Sequence, residues 1–126
     1  MFYVKHTWIA VGALFAALAV AIGAFGAHGL EGIVSSSMLE NYETGVQYHM
    51  FHALGIIAVG LFATHQGVNG RLQAAALFMS VGIVIFSGSL YVMALTNMTW
   101  LGAITPIGGV SFIAGWVFLL VAALKR

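Results

Sequence analysis

Apolar residues run along this chain in four long blocks, each separated from the next by a shorter polar stretch. The blocks cover residues 7–27, 45–64, 72–96 and 101–124, and each reaches or approaches the roughly 20 residues that cross a hydrocarbon core. Between them lie residues 28–44, residues 65–71 and the tight segment Asn97-Met98-Thr99-Trp100. Short connections make consecutive helices antiparallel neighbours. The pattern predicts a single all-α domain over residues 1–126, an integral membrane four-helix transmembrane bundle. The first block follows Lys5 in the manner of a secretory signal, but it runs unbroken from Trp8 to Ala27, which is span length.

The flanks of the blocks predict an orientation. Lys5, Arg71, Lys125 and Arg126 fall on one side of a four-span chain, and Glu31, Glu40 and Glu43 fall on the other. Cytoplasmic flanks hold the excess of Lys and Arg, so both termini are expected in the cytoplasm, with the chain in a bacterial plasma (inner) membrane. Trp8 and Trp100 stand at span ends, where interfacial aromatic anchors belong, whereas Trp116 lies deeper and is expected to pack. Ser37-Met38-Leu39-Glu40 fits a capping box, which starts the second helix near Met38, outside the bilayer.

Small residues recur at helix-packing intervals: Ala13, Ala17 and Ala21 in the first block, Ala75, Gly82 and Ser89 in the third, and Gly108, Ser111 and Gly115 in the fourth. In lipid, such stripes allow the close backbone approach that holds helices together. Bulk at Gly82 or Gly115 is therefore expected to cost assembly.

Composition narrows the function classes. With 62% hydrophobic and 6% charged residues, the chain cannot cover a water-soluble surface, so its main partner is the lipid bilayer. A net charge of +1 offers no basic patch for nucleic acid. Without cysteine there is no disulfide, thiolate metal site or thiol nucleophile.

The polar side chains within or beside the spans gather toward the outer side: His28, Gln47, His49, His52, Ser87, Ser89, Tyr91, Asn97, Thr99 and Thr105. Ionisable groups inside spans usually face a protein interior or water, so an outer pocket is the default site, with His28, His49, His52, Ser87, Ser89 and Thr105 as candidate ligand-binding residues. His49 and His52 stand one turn apart, a spacing that can serve a metal, and His28 from the neighbouring helix could join them. At about 100° per residue, Glu40, Glu43 and Gln47 share a different face, with His49 about 180° and His52 about 120° from Glu40. No cofactor is predicted, and any metal would rest on those three histidines. The competing reading has the histidines bonding hydroxyls or carbonyls of neighbouring helices. Ser87-Gly88-Ser89 with His49 or His52 is the one candidate for a serine nucleophile and its base, set against the ordinary use of Ser and Gly in helix interfaces. Thr105-Pro106 marks a helix entry or kink, and Asn97-Met98-Thr99 reads as a turn.

Four segments carry a resemblance: Gly23-Ala24-Phe25-Gly26-Ala27-His28-Gly29-Leu30, Tyr48-His49-Met50-Phe51-His52-Ala53-Leu54, Phe86-Ser87-Gly88-Ser89-Leu90-Tyr91, and Leu101-Gly102-Ala103-Ile104-Thr105-Pro106-Ile107-Gly108-Gly109. In this order and spacing the chain resembles domain-of-unknown-function family 423, small bacterial inner-membrane proteins similar to eukaryotic transmembrane protein 256. The resemblance implies a four-helix membrane protein and no particular activity. It places His28, His49, Ser87, Ser89, Thr105 and Pro106 inside the family's signature segments.

Three functional readings follow. The first is a non-catalytic bundle, acting as a stabilising subunit of a larger membrane complex or as a homo-oligomer. A small transporter or channel using the outer histidines is the second, although every Glu lies outside the spans or at their rim. The third is an enzyme or a lipid- or metal-binding protein using the outer pocket.

Overall fold

The computed structural model describes residues 2–125, with side chains from His6 onward. Arg126 and the Lys5 side chain, both used in the orientation argument, lie outside the described residues. All regular structure among the described residues is helical. Four stretches, His6–Leu30, Ser36–Gln66, Gly70–Thr96 and Thr99–Lys125, are long and apolar enough to cross a membrane, and each contains one of the apolar blocks.

Helix α1 (Phe2–Phe25) ends in a π turn, Gly26–Leu30, and α2 spans Ser36–Gln66 without a break. The third spanning helix is composite: α3 (Gly70–Gly82) widens into a π turn at Ile83–Ser87 and continues as α4 (Gly88–Thr96). A 3-10 turn, Thr99–Ala103, leads into α5 (Thr105–Lys125), with Pro106 in its first turn, where a missing N–H costs nothing.

The ends have local causes. Asn69 caps α3 by accepting from the Leu72 amide at 2.9 Å. Asn97 closes α4 in the left-handed region at φ 64°, as the turn reading of that segment requires. At the start of α2 the cap is Ser35, whose hydroxyl accepts from the Met38 amide at 3.2 Å. Ser37, the expected capping residue, is instead inside the helix, so α2 begins at Ser36 and the Ser37/Glu40 box does not form. Three serines in a row offer the same hydroxyl, and the pattern alone does not select the first.

Helix α2 stands at the centre, with α1 along one side and α3 and α4 along the other, while α5 packs mainly on α3. Glycines set both close approaches. A Cβ on Gly12 would lie 2.8 Å from the Ala53 carbonyl and 2.9 Å from the Ile57 nitrogen of α2. One on Gly115 would lie 2.8 Å from Met79 Cγ and 3.1 Å from the Ala75 carbonyl of α3. The stripes in the third and fourth blocks are buried as expected, and the Ser111 hydroxyl donates to the Phe78 carbonyl at 2.7 Å. In α1 the expectation fails: Ala13, Ala17 and Ala21 are exposed, and the face against α2 carries Gly12 and Ala19, followed by Gly26 in the π turn. Helix α1 is apolar on every side, so its sequence carries no period that tells the buried face from the lipid face. At the far end of α1, Trp8 is more than an anchor: its Nε1–H donates to Gln73 Oε1 of α3 at 2.6 Å.

Candidate functional site

The polar residues singled out in the sequence lie toward the same end of the bundle, but the structure divides them among separate contacts. His49 and His52, three apart on α2, turn to different neighbours. His52 is 3% exposed. Its Nδ1 lies 2.8 Å from the Tyr48 carbonyl one turn back, and its Nε2 lies 2.9 Å from Trp116 Nε1 of α5. An indole nitrogen can only donate and a carbonyl can only accept, so both ring positions are assigned: Nδ1–H donates and Nε2 accepts. The imidazole also lies flat on Phe112, with 3.5 Å between centroids and 8° between planes.

His49 faces α3–α4 and α1. Its Nδ1 is 2.8 Å from the Tyr91 hydroxyl, and its ring meets Phe15 of α1 edge-on at 6.0 Å between centroids. Its Nε2 is buried and completes no hydrogen bond.

Neither serine meets a histidine. Ser87, in the π turn and fully buried, donates to the Gly45 carbonyl of α2 at 2.7 Å. Ser89 reaches the opposite way, 2.6 Å from the Thr105 hydroxyl of α5 and 2.9 Å from the Phe86 carbonyl. One hydroxyl from the widened turn thus goes to α2, and another, from the first turn of α4, goes to α5. The candidate serine–histidine pair is not assembled, because both hydroxyls are engaged elsewhere.

The three-histidine metal candidate is not assembled either. His28 is exposed in the π turn after α1, His49 points at Tyr91, and both His52 nitrogens are occupied. Among the described residues no three His, Asp or Glu side chains form a group that could hold a metal. Glu31, Glu40 and Glu43 are exposed.

Sequence reasoning placed Tyr91 in the outer polar set and expected Trp116 to pack, but named neither as the partner of a histidine. The available signal was an aromatic residue with a polar handle inside a span, which needs a hydrogen-bond partner there.

Two open grooves flank the exposed face of α2. One, of about 530 Å³, runs between α2 and α5 and is lined by aromatic and aliphatic groups including Tyr48, Phe51, Phe86, Val110, Ile113 and Trp116. The other, of about 500 Å³, runs between α1 and α2 past Val20, Gly23, Gln47, Met50, Phe51 and Leu54.

Residues 22–109 match the family described as "Protein of unknown function (DUF423)". The UPF0382 membrane protein YwdK of Bacillus subtilis is 51% identical over 118 residues, covering 94% of this chain and 96% of that protein. The UPF0382 membrane protein SERP0230 of Staphylococcus epidermidis is 50% identical, covering 94% and 95%, and SAB0533 of Staphylococcus aureus is 44% identical with the same coverage. No solved structure matches. With the family matched over most of the chain and relatives at half identity along nearly their whole length, this protein belongs to the DUF423 family, whose relatives are named UPF0382 membrane proteins.

Proposed function

We propose that this chain is a non-catalytic membrane subunit that works by lateral association, as a stabilising component of a membrane assembly, with both termini in the cytoplasm of a bacterial cell and the bundle in the plasma membrane. The observation that carries this reading is the engagement of His52, whose two nitrogens are both taken up by Tyr48 and Trp116. Apart from the exposed His28, the residues that looked most like a site serve as struts between helices, which directs attention to what the bundle's outer faces meet. Membrane helices held by small residues and a few interhelix hydrogen bonds associate by the same means with other helices. His52 in this state is poorly placed to relay a proton, which counts against transport. The orientation rests on the flank cations.

The test is extraction of the tagged full chain from native membranes in a mild detergent, followed by native electrophoresis and mass spectrometry of the band. Migration above the monomer, with or without other proteins, is the expected result. A lone monomer, both in the detergent and after chemical cross-linking in intact membranes, would overturn the proposal.

A further inference from the structure

The central spanning helix leaves one side bare. On α2, Gln47, Phe51, Leu54, Ala58 and Leu61 are all exposed, with Phe51 at 60% and Leu54 at 54%. They recur at alternating intervals of four and three, a straight line along the helix about 21 Å long. Any exposed helix face has that spacing, so the line alone names no partner. Gln47 does. Its carboxamide makes no hydrogen bond among the described residues. It lies one turn inward of Glu43, at the level where Val46 packs on Gly23 of α1, with Phe51 and Leu54 one and two turns deeper. Lipid tails offer a primary amide nothing, and an unpaired amide in hydrocarbon is costly.

The geometry points to a second copy of this chain as the occupant, seated α2 against α2 around a twofold axis along the membrane normal. The inference deepens the lateral-association reading and rests on it. Copies inserted in the same direction carry Gln47 at the same depth. A carboxamide is self-complementary, its N–H donating to the other's carbonyl and its carbonyl accepting in return, so the twofold satisfies both amides with a reciprocal pair of bonds. A polar residue at one position of an otherwise apolar seam also sets register and copy number. Because the contact is the same patch on both chains, it closes at two copies. The grooves on either side of α2 receive the flanking side chains of the neighbour. Glu40 and Glu43 of the two copies repel at one end, so the seam is tightest from Gln47 inward and opens toward those carboxylates.

The chain has no cysteine, so every introduced thiol is the only one. Full-length Leu54→Cys is oxidised in native membranes beside two controls at exposed positions, Val84→Cys on the third spanning helix and Ala17→Cys on α1. A disulfide needs Cα atoms within about 4.4–6.8 Å, so Leu54→Cys should give a strong dimer band and the controls little. Adding Gln47→Leu to Leu54→Cys should lower the band about threefold to tenfold, and Gln47→Asn should restore most of it. A Leu54→Cys yield no higher than that of Val84→Cys overturns the seam. If Ala17→Cys then gives the dimer, association stands and only this surface fails; if no position cross-links and the extracted chain is monomeric, both readings fail. A strong Leu54→Cys band indifferent to Gln47→Leu overturns the amide pair and assigns Gln47 to water or a lipid headgroup.

Discussion

Replacing Gly108 by alanine tests how the third and fourth spanning helices are held. The added Cβ would lie 2.7 Å from Phe86 Cβ and 2.8 Å from Phe86 Cα. Ordinary carbon–carbon contact begins near 3.4 Å, and the Phe86 backbone nitrogen also lies in the way, so the helices must separate locally by at least about 0.7 Å. Main-chain atoms cannot rotate away as a side-chain tip can, so the strain falls on the helix contact itself. Overpacking of this kind costs about 1–3 kcal/mol, and the gain in helix propensity of alanine over glycine offsets at most about 1 kcal/mol. A net loss of about 1–2 kcal/mol is expected. Gly88, the residue after Ser87, supplies the control: a Cβ there meets nothing within 4 Å, so Gly88→Ala should be neutral or stabilising by up to about 1 kcal/mol. Both variants are read by reversible unfolding in mixed micelles, followed by tryptophan fluorescence. If Gly108→Ala unfolds at the wild-type midpoint, or if the two variants shift together, the close approach of α5 to Phe86 is not what holds this contact.

In a double-mutant cycle of His52→Leu with Trp116→Phe, the interhelix hydrogen bond should appear as a coupling of about 1 kcal/mol, and a coupling near zero would remove the strut assigned to it. Tyr91→Phe leaves His49 Nδ1 without its partner and should cost about 1–2 kcal/mol in the same unfolding assay, whereas Ser87→Ala should cost under about 1 kcal/mol, since the Gly45 carbonyl keeps its own helical N–H; the reverse order would refute this assignment. Prolonged treatment with a chelator should leave the thermal midpoint of the purified protein unchanged, and a fall of several degrees, reversed by one metal, would restore a metal site.

The four helices were legible because a run of apolar residues is a local property, and so were their approximate ends, where polar residues interrupt the run. The burial of Gly82 and Gly115 was legible for a related reason: glycine in a span usually marks a close approach. The face of α1 was not legible, since its small residues recur on every side of an apolar helix and only the partner helix shows that Gly12, not Ala13, meets α2. Which neighbour each histidine meets was hidden more deeply. His52 and Trp116 are 64 residues apart, and nothing in either segment says that α5 comes within reach of α2. The π turn at Ile83–Ser87 escaped notice as well, because its residues are ordinary span residues.

His52 shows why an apparent site can be a structural part. At that position the side chain must donate to a carbonyl on its own helix, accept from an indole on α5, and lie flat on a phenyl ring. A hydroxyl can donate and accept but is too short to bridge to the indole and has no face to stack. Glutamine has the donor and the acceptor on one carbon, too close together to aim at groups on opposite sides. Neutral imidazole separates the two functions across a rigid ring, so it satisfies two polar groups of a low-dielectric interior with a single side chain. With His52, Ser87 and Ser89 committed inward in this way, the exposed amide of Gln47 is the conspicuous unspent hydrogen-bonding group on a spanning face of α2, and the question of function moves from the interior to that surface.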